Sequence, residues 1–177
     1  MAETFVKIGH QVLTADSPTV VFSGIPTDGT YTDLYLVSQV RTARTGQPWD
    51  QIDILPNGSS SNLTGGKMYS ASNGSPTSNT TIGNYVTSDD ATLGWAGTLT
   101  VYIPNYASAN KKVMSLESHG GTSSTHYYGM FYLAWDNSTA ISSITLDSPN
   151  ADIASDSTFT LYGITKGTDG TTTVTTS

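Results

Sequence analysis

Apolar residues recur at every second position along much of this chain. That period puts one set of side chains on a buried sheet face and the other in water. The last third carries it most plainly. Thr139 to Asp147 (TAISSITLD) sets Ile144 and Leu146 between hydroxyl residues, and Ser157 to Thr165 (STFTLYGIT) does the same with Phe159 and Leu161; the two read as strands on either side of a polar corner. Glu3 to Ile8 and Gln11 to Thr14 are predicted as a first pair around Gly9-His10. Thr19 to Ser23 is a short apolar strand closed by Gly24-Ile25-Pro26. Thr32 to Thr42 reads as a long strand with Leu34, Leu36 and Val40 on one face, and Tyr35, Val37, Gln39 and Arg41 on the other. Gln51 to Leu55 turns Ile52 and Ile54 inward and Asp53 outward. Leu99, Val101 and Ile103 alternate within Gly97 to Pro104, and Lys112 to Ser118 and Thr125 to Trp135 lead into the final pair, expected to lie side by side.

Helical spacing of apolar residues is missing from every window long enough to matter. Many short strands separated by Gly, Asn and Pro turns predict an all-β chain, an antiparallel β-sandwich of jelly-roll-like topology. Its core is expected to hold Leu34, Leu36, Val40, Leu99, Val101, Ile103, Ile144, Phe159 and Leu161. Between Pro56 and Asp90 the texture changes to Asn, Gly and Ser with isolated apolar residues. This stretch is expected to form loops and short edge strands, pinned by Met68, Tyr69, Ile82, Tyr85 and Val86, within one domain spanning residues 1–166. Residues 167–177, mostly Gly and Thr, read as a C-terminal extension.

Composition narrows the function more than the fold. The 177 residues suit one domain, and only 12% are charged, about half the usual share for soluble domains. Ser and Thr take up the difference. Cysteine is absent, which excludes a disulfide framework and thiolate chemistry. A net charge of -7 repels a phosphate backbone, and the seven cations form no long basic run, so nucleic-acid binding is not expected. No window is apolar enough to span a membrane. The N-terminal MAETFVKIGHQVLTADSP has no basic region followed by an apolar one, so synthesis and folding in a cytoplasm are expected.

Candidate chemistry is thin. His10 falls in a predicted turn, and His119 and His126 at the ends of a predicted loop. With Glu117 and Asp136 they offer acid–base or zinc-binding groups, but without HxH or HExxH spacing, and they read as solvated loop histidines. Asp147, Asn150, Asp152 and Asp156 gather oxygen ligands, yet Pro149 and the lack of a central Gly break a calcium ladder. An Asx-rich corner is the simpler reading. No nucleophile elbow or phosphate loop occurs. The expectation is therefore no enzyme, no catalytic residue, no metal and no cofactor. Among the aromatics, Phe131 and Trp135 are expected in the core. Trp49, Tyr127 and Tyr128 are left as contact candidates. Phe5 and Ile8, in the N-terminal strand, are candidates to pack on a neighbouring chain.

Three segments together carry a resemblance: Phe22 to Arg44 (FSGIPTDGTYTDLYLVSQVRTAR), Leu99 to Ser118 (LTVYIPNYASANKKVMSLES) and Thr139 to Ile164 (TAISSITLDSPNADIASDSTFTLYGI). They resemble small β-rich virion proteins of tailed bacteriophages, of the capsid decoration and fibre kinds. The resemblance implies a structural protein on the virion surface, made in the bacterial host cytoplasm. Its partners would be the major capsid protein and copies of itself, as a homotrimer by analogy with other threefold phage surface proteins. A decoration or cement protein bound outside the head is the leading expectation. A tail-fibre or receptor-binding module gripping host glycans is the alternative, and a glycan-active enzyme on a sandwich scaffold stands third. No catalytic residues carry over.

Overall fold

The computed structural model describes residues 4–71, 77–79, 83–89, 95–121 and 126–165. Within them the chain forms β1 (Phe5–Val12), β2 (Thr19–Ser23), β3 (Asp33–Val40), β4 (Trp49–Pro56), β5 (Leu63–Ala71) and β6 (Thr77–Asn79). It continues with β7 (Gly83–Thr87), β8 (Gly97–Ile103), β9 (Lys112–Gly121), β10 (His126–Trp135), β11 (Ser143–Asp147) and β12 (Thr158–Ile164). An eight-stranded sheet runs β1-β12-β3-β8-β9-β10-β5-β6 and a four-stranded sheet runs β2-β11-β4-β7. Every pairing between these strands is antiparallel. The two sheets pack as a β-sandwich.

The core lies where the inward faces meet. Leu34, Leu36, Val40, Leu99, Val101, Ile103, Ile144, Phe159 and Leu161 are all buried, as their alternation predicts, and so are Phe131 and Trp135. Tyr106, at the corner after β8, is also fully buried. Its hydroxyl donates to the Pro26 carbonyl, and burial pushes the phenol up to about 12. Asn57, in the left-handed region at φ 52°, ends β4. Its amide donates to the Ala140 carbonyl (3.0 Å), and its Oδ1 accepts from the Ser142 and Ser143 amides (2.9 and 3.2 Å). One side chain thereby ties the β4 turn to the crossover that enters β11.

Four expectations need correction. The N-terminal segments do not pair with each other, and His10 is not in a turn. Both segments belong to β1 and pair with β12, with a register slip between Lys7 and Gly9. Such a bulge absorbs a residue without ending the strand. Gly9 fits there because a Cβ would meet the Phe22 ring at 2.9 Å. Second, β11 and β12 are not neighbours: they lie in opposite sheets, and the polar corner between them is a crossover that buries Ile153. Third, the Asn/Gly/Ser stretch contributes more than fringe. β7 pairs with β4 and buries Asn84, Tyr85, Val86 and Thr87, while β5 runs alongside the length of β10. Ile82 lies outside the described residues, as do residues 1–3 and the 167–177 extension. Fourth, Asp53 is only 8% exposed although its parity on β4 turns it away from Ile52 and Ile54.

Candidate functional site

The alternation that fills the core also decides what stands on the outer face of the large sheet. Residues directly opposite on adjacent strands share a face, so they form rows across the sheet. One row runs Tyr162–Tyr35–Tyr102–Ser115–Tyr132 over β12, β3, β8, β9 and β10. The next runs Thr160–Val37–Thr100–Glu117–Met130–Met68. A third runs Val12–Thr158–Gln39–Thr98–His119–Tyr128. Phe5, Val37, Met68, Tyr102, Val113, Met130 and Tyr132 are all exposed on this surface, Val113 by 57% and Tyr132 by 52%. Lys7, Asp33 and Glu117 interrupt it with charge. Asp33 is held locally, accepting from the Asn105 amide (2.8 Å) and the Tyr102 hydroxyl (3.3 Å).

The five contact candidates fall in three places. Phe5 lies on the outer face, edge-on to Tyr35 and Tyr162 with centroids 6.1 and 6.3 Å away. Ile8 is half-buried and packs against the core. Trp49 and Tyr127 are half-buried in an aromatic cluster with Tyr85 and Phe131, Trp49 standing 4.7 Å from Tyr85 and 6.4 Å from Tyr127. Tyr128 is exposed and stacks on His119 at 4.7 Å. The candidates do not converge on one site. Tyr35, Val37, Tyr102, Val113, Met130 and Tyr132 went unmarked as contact residues. Their signal was the same period of two, read for its outward half.

A polar network caps the aromatic cluster. Asp50 is fully buried, and its Oδ1 accepts from the Arg44 guanidinium (3.2 Å), the Asn150 amide (2.8 Å) and the Gln51 backbone (2.8 Å). Arg44 in turn lies 4.9 Å over the Trp49 ring. Asn150, from the corner read as Asx-rich, thus serves a carboxylate from β4. Nearby, Asp53 and Asp147 face each other across β4 and β11. Burial raises the Asp53 carboxyl above its ordinary value and the Asp147 charge adds to the rise, while the Gln51 hydrogen bond opposes it. Like charges set opposite on paired strands repel. Among the described residues no three His, Asp or Glu side chains gather to hold a metal ion.

His119 and His126 sit on strands, not in a loop: His119 within β9, and His126 opening β10. Trp95 is 44% exposed and lies 5.9 Å from His126. A hollow of about 400 Å³ opens on one side of Trp95, lined by Gln39, Arg41, Ser155, Asp156 and Ser157. A second, of about 230 Å³, opens toward Thr98, His119 and His126.

Compared with protein-family models, with curated proteins and with solved structures, the chain matches none of them.

Proposed function

We propose that this chain is a structural protein of a tailed-phage virion, a decoration protein bound outside the head, whose partners are the major capsid protein and copies of itself as a homotrimer. One observation carries the reading. The outer face of an eight-stranded sheet presents large apolar and tyrosine side chains in rows across several strands, with few charges between them. An apolar patch of that breadth is uncommon on a free-standing soluble domain and marks a surface that another protein covers. A broad sheet face suits a partner equally broad, such as a shell of repeated subunits. The action is then mechanical: burying this face across capsid joints adds contacts that resist internal pressure.

The connectivity supports the same reading. We read the order β1-β12-β3-β8 against β2-β11-β4-β7 as jelly-roll-like, a plan common among capsid proteins, with β5–β6 and β9–β10 added to one edge of the large sheet. The resemblance of the three sequence blocks to phage virion proteins points the same way.

The test is location and the chemistry of docking. Cryo-EM of purified particles should find the protein in hundreds of copies on the head, with the outer sheet face toward the shell. Val113→Thr with Met130→Gln should leave the isolated protein folded and lower head occupancy several-fold. A handful of copies at the tail tip would replace this reading with the receptor-binding module.

A further inference from the structure

The third row of the outer face passes Trp95 at Gln39, Thr98 and His119, which line the same hollows, and this corner differs in kind from the rest of the sheet. Gln39, Thr98, His119 and Tyr128 stand directly opposite one another on β3, β8, β9 and β10. Adjacent strands lie about 4.8 Å apart, so the four positions make a straight track of about 14 Å. The Thr98 hydroxyl and His119 Nδ1 are 3.3 Å apart, and His119 lies nearly parallel to the Tyr128 ring, at 22°. Trp95 stands between the two hollows and belongs to the lining of both.

We infer that this corner is a carbohydrate-binding site, taking a linear chain of uncharged pyranose units along the Gln39–Tyr128 track with one ring against Trp95. Aromatic rings offer flat apolar faces to the axial C–H groups of a pyranose. The amide of Gln39 and the hydroxyls of Thr98 and Ser155 offer donors and acceptors to its hydroxyls. The strand spacing is close to the repeat of an extended sugar chain, so successive units meet successive strands. Charge argues for a neutral ligand. The Arg41 guanidinium in the larger hollow is paired with Asp89 at 2.8 Å, and Asp156 adds a carboxylate beside it. A nucleotide or nucleic acid would bring phosphates to a chain of net charge -7. The site occupies one corner of the same outer face, beside the Tyr162–Tyr132 and Val37–Met68 rows. It is tested on the isolated protein, where this face is uncovered whatever the outcome of the virion proposal.

Cellohexaose, maltohexaose, chitohexaose, laminarihexaose and a delipidated bacterial O-polysaccharide are titrated separately by calorimetry and by tryptophan fluorescence. At least one should bind saturably and perturb the fluorescence. Trp95→Ala should weaken that binding by about tenfold or more, as expected when a stacking ring is removed. Trp95→Phe should recover most of the loss, and Tyr128→Ala should weaken it several-fold. Both side chains are exposed, so the melting temperature of each variant should stay within a few degrees of the parent, and a variant that melts earlier is read through the other. Saturable binding to none of the five at millimolar concentration overturns the proposal. So does binding that survives both Trp95→Ala and Tyr128→Ala unchanged.

Discussion

The two faces of the large sheet are built from the same strands and the same alternation, yet they meet opposite surroundings. On β3, Leu36 is 1% exposed and packs between the sheets, while its neighbour Val37 is 38% exposed on the outside. On β9 and β10, Met114, Leu116 and Leu133 are buried, whereas Val113, Met130 and Tyr132 stand in solvent. A one-sided antiparallel sheet ordinarily sets hydrophobic residues inside and polar ones outside. Here the outer face keeps Thr, Ser and Gln between its strands' apolar residues, but it also carries side chains that an interior would accept. The comparison teaches that alternation identifies a face, and that only the company a face keeps shows whether it is finished. The inner one is finished by the four-stranded sheet. The outer one leaves Val37, Val113, Met130 and Tyr132 exposed, and the docking proposed above would cover them.

The largest effect should come from the finished face. Leu36→Ala or Phe159→Ala should lower unfolding free energy by about 2–5 kcal/mol in denaturant melts, through lost transfer energy and the cavity left behind. Val37→Ala, one residue away, should change it by no more than about 0.5 kcal/mol. An equal loss at both positions would break the contrast between the faces.

Next comes the buried carboxylate at the end of the sandwich. Asp50→Ala should destabilise by about 2–3 kcal/mol, because the Asn150 amide and the Arg44 guanidinium lose a charged acceptor. Asp50→Asn keeps an oxygen for one donor and should lose less. If the two variants melt alike, the retained oxygen contributes little and the loss comes from the carboxylate's charge.

A smaller effect, sharp in its pH dependence, belongs to Asp53. Its carboxyl is raised above the ordinary 3.8, so between that value and the folded one the native state holds more proton than the unfolded chain. By linkage this contribution to stability falls as pH rises through that window, because the Asp53 charge must then be carried in a largely buried place with Asp147 opposite. Asp53→Asn keeps an acceptor for Gln51 and should raise the melting temperature at pH 7. The gain should shrink as pH falls toward 3.8. A gain independent of pH would remove the charge from the explanation.

The smallest effect on stability is expected on the outer face, where Val113→Thr and Met130→Gln should each shift unfolding by no more than about 0.5 kcal/mol. Their consequence belongs to assembly. Should they destabilise the isolated chain as core substitutions do, the face would be part of the fold and not a docking surface.

Strand positions were largely legible from sequence because a period of two is a local property, written in residues a few positions apart. Thr19–Ser23 matched β2 end to end, and all nine predicted core residues are buried. The failures share a cause. Whether Gly9-His10 makes a turn or a bulge depends on β12, some 150 positions away, pairing with both halves of β1. Whether β7 is fringe or core depends on β4 lying beside it, and nothing in Asn84-Tyr85-Val86 announces that neighbour.

The contact surface follows the same division. The sequence by itself determined that Tyr35 and Val37 share a face opposite to Leu34 and Leu36, because successive side chains on a strand must point to opposite sides. It could not say that Tyr162, Tyr35 and Tyr102 stand in one row, or that Gln39, Thr98, His119 and Tyr128 make another. Those rows exist only through the register of strands far apart in the chain. Register is set by the global packing of the apolar set between two sheets, where a slip of one residue would turn every side chain to the wrong face. Faces are therefore decided within a strand, and the surfaces that do the work are decided only when the strands meet.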